Sequence, residues 1–178
     1  MVSWMEERLG TMPQITESSN GTYYLGIDPG SSSGGACLLD SSGNLLSEIA
    51  FNKPTEHVIA GWFASISDHN NIRAALEKVH SIPKQSAQSG FKFGWSYGFL
   101  RGLLVAYQIP FIEPSPQRWQ KDMGLIVKGR KDIRDKQYEK KKMHLAKAHE
   151  RWPKYAKQIT HSTADAILIA EWLRKGDK

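Results

Sequence analysis

Three short runs rich in strand-forming residues follow one another closely near the start of the chain. They cover residues 22–28, 34–40 and 45–51, and the turn-forming sequence Ser-Ser-Gly-Asn separates the second run from the third. Because such turns join neighbouring antiparallel strands, the pattern predicts a three-stranded meander. Later elements must therefore be placed around this sheet.

The rest of the chain adds helices and two further strands. Apolar residues recur at spacings of three and four from Val58 to Ile66, which predicts a helix over 55–68. The apolar run 72–79 predicts a buried strand, and 110–113 a short fifth strand. Further helices are predicted over 90–108, 116–123, 133–149 and 162–175. This order favours an α/β fold, a mixed five-stranded sheet with helices on both faces.

The length of 178 residues suits one α/β domain and is too short for two ordinary domains. We therefore expect a single domain over residues 21–178. Residues 1–20 lack a clear period and end at a turn-forming cluster, so we interpret them as an N-terminal extension of uncertain order.

Cysteine content and hydropathy indicate the compartment. Cys37 is the only cysteine, which leaves no internal disulfide and no zinc site built from several sulfurs. No segment approaches the roughly 20 apolar residues needed to cross a bilayer, and the first residues lack the pattern of a secretory signal. These features predict a cytoplasmic protein in a reducing compartment, without a membrane partner.

Four glycines recur at every fourth position of the predicted long helix: Gly90, Gly94, Gly98 and Gly102. Each costs up to about 1 kcal/mol of helix stability relative to alanine. A row of glycines on one helix face allows another backbone or a nucleic acid to approach closely. We therefore expect a close contact along this face.

Positive charge is concentrated in one segment. Residues 128–157 contain twelve Lys and Arg against four acids, a local charge of +8, whereas the other 148 residues sum to −2. Such a segment on a nearly neutral body is typical of proteins that bind a phosphate backbone, although many Lys-rich runs are only solvated helix faces. The charge favours contact with nucleic acid.

Three carboxylates lie at positions that favour a catalytic or metal-binding role over a purely structural one. Asp28 ends the first predicted strand before a Pro-Gly turn, and Glu77 falls inside an apolar strand, where an unpaired carboxylate costs several kcal/mol. Asp165 lies in the first turn of the last predicted helix, facing the sheet. A turn role for Asp28 and a salt bridge for Glu77 are the alternatives. Because mutual repulsion opposes their gathering, the three together predict a divalent metal.

The order of these motifs resembles the RuvC family of Holliday junction resolvases, a branch of the ribonuclease-H-like nucleases. The resemblance rests on G-I-D-P-G at residues 26–30, A-L-E-K-V at 75–79 and H-S-T-A-D-A at 161–166, and it extends over about residues 23–172. It implies a ribonuclease-H-like fold. It also implies a homodimer that binds four-way DNA junctions and makes paired nicks in strands of like polarity, leaving 5′-phosphate and 3′-hydroxyl ends.

The resemblance also implies roles for individual residues. Asp28, Glu77 and Asp165 match the family's acidic positions and would bind two Mg²⁺ ions, with Mn²⁺ as an alternative. Many relatives place Asp or His three residues before the last Asp, where this chain has Ser162. We favour the neighbouring His161 as the fourth catalytic and metal-binding residue, because imidazole binds metal or transfers a proton more readily than a hydroxyl.

A lysine beside the scissile phosphate would stabilise developing charge. Lys121 is the catalytic candidate by position, with Lys128, Lys131 and Lys136 as alternatives. The predicted DNA-binding residues are Lys128, Arg130, Lys131, Arg134, Lys136, Lys140, Lys141 and Lys142.

One feature of the family has no clear match. His80 stands where some relatives have an aromatic residue thought to wedge the junction open. The alternative aromatic residues are Phe91, Phe93 and Trp95.

Other functions are weaker alternatives. A nuclease of the same fold could act on other branched DNA or on RNA–DNA hybrids. A non-catalytic DNA-binding module would have no need of a buried Glu77 or Asp165. The first strand also resembles that of sugar kinases and actin-like ATPases, which need a second lobe for which 178 residues leave little space.

Overall fold

The computed structural model describes residues 21–30, 34–79, 86–126 and 133–177, with the side chains of residues 133–137 excepted. Its sheet contains strands β1 (Tyr23–Asp28), β2 (Gly35–Leu39), β3 (Leu45–Ala50), β4 (Ile72–Leu76) and β5 (Phe111–Ile112). The strand order is β3-β2-β1-β4-β5. The first three strands form the antiparallel meander, and β4 and β5 continue the sheet in parallel with β1. The predicted mixed five-stranded sheet is confirmed.

The helices of the described residues are α1 (Glu56–Ser67), α2 (Ala87–Ala106), α3 (Pro116–Asp122), α4 (Ile133–Arg151) and α5 (Ala164–Gly176), with a 3₁₀ turn at Pro153–Tyr155. Thr55, Ser86 and Ser115 cap the first three helices, since each side-chain oxygen accepts a backbone N–H from the first turn. Such caps satisfy donors that a helix start leaves unpaired. The predicted helices therefore exist, with ends displaced by at most three residues.

Helices cover both faces of the sheet, as the sequence predicts. On one face, α5 packs against β1 and β2, with α3 and α4 around it, and on the other face lie α1 and α2. Alternation along β1 explains the division, because Tyr24 belongs to the first core and Leu25 and Ile27 to the second. The central strand thus contacts helices on both sides.

Gly26 allows α5 to lie directly on β1. A Cβ atom at this position would meet the backbone of Ala166 and Ala170, with the Ala170 Cα only 2.9 Å away. A side chain is therefore excluded unless the helix moves. The same helix begins beside the end of β1.

The glycine row on α2 does not have the contact that the sequence predicts. Added Cβ atoms at Gly90, Gly94, Gly98 and Gly102 would meet nothing within 4 Å among the described residues. The helix buries Leu100 and Leu104 instead, so its glycine face points away from the core. The expected close approach is absent within the described part of this chain.

Some expectations concern residues that the structure does not describe. The extension 1–20, His80, Lys128, Arg130 and Lys131 lie outside the described ranges, and Arg134 and Lys136 lie in the part of α4 whose side chains are not described. Among the described residues, no helix has the length and hydropathy to cross a membrane.

Candidate active site

Asp28 is the last residue of β1, the central strand of the sheet. Its Oδ1 accepts a hydrogen bond of 3.2 Å from the backbone N–H of Gly30, which shapes the turn that follows the strand. The residue is partly buried. The strand and the turn together hold its carboxylate at the carboxyl end of β1.

Glu77 lies beside Asp28 at the same end of the sheet. The sequence places Glu77 inside a strand over 72–79, but β4 ends at Leu76 and Glu77 is the next residue. That prediction is wrong in its boundary because the parallel pairing with β1 ends at Ile27 and Leu76. The backbone N–H of Glu77 still donates to the Ile27 carbonyl at 2.9 Å, and its Oε1 accepts from the indole Nε1 of Trp119 at 2.8 Å.

Asp165 comes from the first turn of α5, the helix that Gly26 allows onto β1. Its Oδ1 lies 2.6 Å from Nδ1 of His144, a fully buried residue of α4. The Asp165 side chain is 19% exposed, so the carboxylate borders solvent. Three elements distant in sequence thus bring three carboxylates to one end of the sheet.

The three carboxylates act on one another electrostatically. Burial raises the pKa of Asp28 well above its usual range, and the charges of Asp165 and Glu77 raise it further. Burial also raises the pKa of Glu77, with a hydrogen bond from Trp119 opposing and the charge of Asp165 adding to the rise. Such mutual destabilisation of ionised groups is typical of sites that bind a cation or catalyse proton transfer.

Glu171 provides a contrast within the same fold. Its side chain is 1% exposed and forms ion pairs with Arg174, Arg151 and Lys175. Burial alone would raise the pKa of Glu171, but the Arg174 hydrogen bonds and the surrounding positive charges lower it. This carboxylate is neutralised by protein cations, as a structural carboxylate should be. The three at the sheet end form no such ion pair with Lys or Arg among the described residues.

In each of the three carboxylates, one oxygen takes part in a hydrogen bond. The second oxygen has no hydrogen bond among the described residues. The engaged oxygens are Asp28 Oδ1, Glu77 Oε1 and Asp165 Oδ1. Oxygen donors of this kind suit Mg²⁺ or Mn²⁺. Within the described ranges, however, no three His, Cys, Asp or Glu side chains are gathered closely enough to form a ready coordination sphere. The donor chemistry fits a divalent ion, and binding would require the carboxylates to draw together.

His161 lies apart from this cluster. It is exposed in the turn before α5, which begins only at Ala164, so the helical turn that would align His161 with Asp165 does not form. No hydrogen bond or ion pair joins His161 to another described residue. Ser162 is partly buried, and its backbone N–H donates to Thr160 Oγ1 at 3.2 Å. The structure therefore brings neither candidate for the fourth position into contact with the carboxylates.

Lys140 is the lysine whose charge acts on the carboxylate cluster. Its charge lowers the pKa of both Asp28 and Glu77, against the stronger effect of burial. Lys121, the candidate chosen by position, is exposed at the end of α3 and is not among the main charges that act on either carboxylate. On α4, Lys141 and Lys142 are also exposed. The basic helix, rather than α3, thus carries positive charge to the site.

Two of the candidate wedge aromatics are exposed at the start of α2. The Phe91 and Trp95 side chains are 70% and 60% exposed, with ring centroids 6.0 Å apart, whereas Phe93 is partly buried. Phe91 and Trp95 line a cavity of about 290 Å³. Ser96, on the same helix, donates to the Pro29 carbonyl at 3.0 Å, so this cavity lies near the Asp28 turn.

His144 and Trp119 are contacts of the site that sequence reasoning missed. The available signal was the regular spacing of His144, Ala148 and Trp152, three buried residues in an otherwise basic stretch. The surrounding lysines made the regular spacing of these three residues difficult to recognise in the sequence. Trp119 gave no separate signal, because a tryptophan in a short helix is most often part of the core.

Comparisons with known proteins bear on the fold. No protein-family model matches the sequence, and no curated protein matches it at a significant level. The structure of T. thermophilus RuvC in complex with Holliday junction substrate is similar at a TM-score of 0.53 and 15% identity, over 88% of this chain and 96% of that one. A second Thermus thermophilus RuvC structure is similar at a TM-score of 0.50 and 18% identity, over 87% and 97% of the two chains. The chain therefore has a RuvC-like fold of the ribonuclease-H-like α/β class.

Proposed function

We propose that this protein is a metal-dependent endonuclease that resolves four-way DNA junctions. The observation that carries the proposal is a set of three carboxylates that repel one another at the carboxyl end of β1, namely Asp28, Glu77 and Asp165. Among the described residues they have no cationic partners of the kind Glu171 has. A cluster of this kind is costly unless it serves a cation. The RuvC-like fold supports the same reading, since one of the similar structures holds a Holliday junction.

The proposed site uses oxygen ligands for Mg²⁺, with Mn²⁺ as a substitute. Asp28, Glu77 and Asp165 would hold one or two ions through their free oxygens, and the bound metal would activate water and offset charge that develops on the phosphodiester. The protein itself fixes the carboxylates: β1 orients Asp28, the end of β4 orients Glu77, and α5 orients Asp165. The products would carry 5′-phosphate and 3′-hydroxyl ends.

Helix α4 is the proposed phosphate-binding surface. It runs past the carboxylates, since His144 contacts Asp165 and Lys140 influences Asp28 and Glu77. Lys141 and Lys142 are exposed on the same helix. Lysine side chains beside a phosphate-cleaving centre bind the backbone and stabilise its developing charge. Lys140 is therefore our candidate for the lysine nearest the scissile phosphate, in place of Lys121.

Paired nicking requires two active centres on one junction. We propose that the functional unit is a homodimer, in which each protomer cuts one of two strands of like polarity. The homodimer and the branched substrate are proposed together, since a single centre would leave a nicked junction unresolved.

A panel of labelled substrates tests the proposal. The purified protein is incubated with a four-way junction, a replication fork, a flap, an RNA–DNA hybrid and a linear duplex of equal length, each with Mg²⁺ and with EDTA. We expect symmetric nicks in the four-way junction in Mg²⁺ alone. Faster cleavage of the hybrid or flap would assign the same centre to a different substrate, and binding without cleavage of any substrate would indicate a non-catalytic DNA-binding module.

The salt dependence of DNA binding tests the role of α4. If its lysines contact phosphates, junction affinity should fall steeply with salt, with a slope of log K against log[salt] of about −0.9 per contact. Lys140, Lys141 and Lys142 changed together to Gln should reduce that slope by roughly one or two units, because consecutive residues fan around a helix by about 100° and all three cannot face one DNA arm. Fluorescence anisotropy at several salt concentrations measures the slope.

The matched control changes the same three lysines to Arg, which keeps the charge and should keep most of the slope. If the Gln variant has the slope and low-salt affinity of the wild type, the lysines form only a solvated face. DNA contact would then be sought on α2, along its glycine face.

The fourth position of the site is tested by comparing two variants. His161→Ala should lower the nicking rate more than Ser162→Ala, because imidazole can bind metal or transfer a proton and is free in the described structure. We expect a loss of about 100-fold, the lower end of the range for removal of a general acid or base. Single-turnover rates on the junction give the ranking. A larger loss in Ser162→Ala would move the fourth ligand to Ser162.

A further inference from the structure

We propose that His144 and Trp119 are positioning residues that orient the Asp165 and Glu77 carboxylates, each with one oxygen left available for metal. This inference rests on the proposed function, because the metal centre is part of that function. It assigns a role to two buried residues that lie outside the acidic constellation itself.

The two residues make equivalent contacts. His144 Nδ1 lies 2.6 Å from Asp165 Oδ1, and Trp119 Nε1 donates to Glu77 Oε1 at 2.8 Å. An ionised carboxylate only accepts hydrogen bonds, so a ring N–H is the donor in both contacts. Each donor engages one oxygen and leaves the second oxygen of that carboxylate without a hydrogen bond among the described residues. The free oxygens are Asp165 Oδ2 and Glu77 Oε2.

The two rings are fixed by their surroundings. His144 and Trp119 are both 0% exposed, and their ring centroids lie 5.4 Å apart in a tilted arrangement. Rings packed in this way lose little further rotamer freedom when they hold a carboxylate. The Asp165 and Glu77 carboxylates are therefore both hydrogen-bonded to rings that pack against each other between α3 and α4.

The choice of donor distinguishes this arrangement from a structural ion pair. Arg174 binds both oxygens of Glu171, at 2.7 and 3.0 Å, which leaves that carboxylate saturated. A single ring N–H orients a carboxylate without saturating it. In addition, His144 Nε2 is buried and has no partner among the described residues. A buried polar atom left unpaired is costly, so packing stability alone does not account for a histidine here.

Loss of a hydrogen bond that orients a metal-binding side chain commonly weakens metal affinity by a factor of 10 to 100. Loss of the His144 or Trp119 donor should therefore weaken divalent-metal binding by about that factor. Because the ligands themselves remain, a high metal concentration should restore most of the nicking rate. A positioning role thus predicts a raised metal requirement with a nearly unchanged maximal rate.

The test measures Mn²⁺ binding to the full chain without DNA, from the electron paramagnetic resonance signal of the free ion. His144→Asn keeps an N–H donor near the position of Nδ1, whereas His144→Gln and His144→Phe do not. We expect affinity 10- to 100-fold lower for the Gln and Phe variants, with most of it recovered in the Asn variant. Trp119→Phe should lose affinity similarly, since it keeps a ring but no donor.

Two control variants remove comparable hydrogen bonds away from the carboxylates. His149→Phe, also on α4, removes the 2.9 Å contact of the His149 Nε2 atom with the Ile159 carbonyl, and Trp152→Phe removes a 2.8 Å bond to the Gly43 carbonyl. Both should keep wild-type Mn²⁺ affinity. Thermal unfolding of all variants separates loss of folding from loss of metal. If His144→Phe fails to fold, the Asn and Gln pair and Trp119→Phe still decide the question.

The outcomes separate this inference from the proposed function. Wild-type protein that neither binds Mn²⁺ nor nicks a junction would overturn both. Wild-type protein that does both, with unchanged metal affinity in His144→Gln and Trp119→Phe, would overturn the positioning role alone. Equal losses in His144→Asn and His144→Gln, or equal losses in the control variants, would also overturn it, because they would indicate packing.

Discussion

Asp28→Asn and Glu77→Gln should each reduce the rate of junction nicking by about 1,000-fold while junction affinity stays within about twofold of the wild type. The size of the loss is that of removing a preorganised group that stabilises transition-state charge. Binding should persist because the lysines of α4 are unchanged. Single-turnover nicking and anisotropy on the same labelled junction measure the two quantities.

Folding stability provides a second readout for Asp28→Asn. Because burial and neighbouring charges raise the pKa of Asp28, its ionised form costs stability at pH values above that pKa. The Asn variant should therefore unfold at the same temperature as the wild type or higher at neutral pH. A variant that is inactive and at least as stable would show that Asp28 is retained for function.

Glu171→Gln is the matched control for a buried carboxylate. The pKa of Glu171 is lowered by its arginine partners, so its ionised form contributes stability that is lost as pH falls through that pKa. Removing its charge leaves Arg174, Arg151 and Lys175 without their counter-charge, and because these cations are partly exposed it should cost about 1–3 kcal/mol in the free energy of unfolding. Wild-type nicking in Asp28→Asn or Glu77→Gln would contradict the assignment of the site.

Gly26→Ala should lower the free energy of unfolding by about 3 kcal/mol, the upper end of the usual cost of overpacking a core. The added methyl group would meet the backbone of Ala166 and Ala170, which cannot rotate away as a side chain can. Relief requires α5 to move off β1, and α5 carries Asp165. The variant should therefore also lose nicking activity beyond its loss of folded protein. Urea unfolding and nicking rates under folding conditions measure both effects.

Gly98→Ala is the matched control on the other side of the sheet. Nothing lies within 4 Å of a Cβ at this position among the described residues, and the helix is regular there. Alanine should stabilise the protein by up to about 1 kcal/mol through its helix propensity. If Gly26→Ala were as well tolerated as Gly98→Ala, the close packing of α5 on β1 would be wrong.

The sheet could be predicted from the sequence because its elements carry local signals. The meander is marked by a turn sequence, α1 by apolar spacing, and β1 by an apolar run that stops at Asp28. These signals depend on neighbours along the chain, which a sequence displays directly. The boundary at Glu77 was missed because strand length depends on the pairing partner, and β1 ends at Asp28.

The surroundings of the candidate site could not be predicted in the same way. The contact of His144 with Asp165 joins residues 21 positions apart, and Trp119 and Glu77 are 42 apart. Contacts of this kind appear only when α3, α4 and α5 are placed on one face of the sheet. His161 was favoured for its position near Asp165 and for the chemistry of imidazole, and the turn that exposes it depends on where α5 begins.

The central claim is that Asp28, Glu77 and Asp165 form a metal-dependent centre that cuts four-way junctions. The most direct measurement is single-turnover cleavage of a labelled junction by protein first stripped with EDTA and then supplied with excess Mg²⁺. We predict no nicks in EDTA, and after Mg²⁺ addition paired nicks whose ends a DNA ligase reseals. Nicking that persists in EDTA, or an intact junction at saturating Mg²⁺ and Mn²⁺ despite tight binding, would contradict the claim.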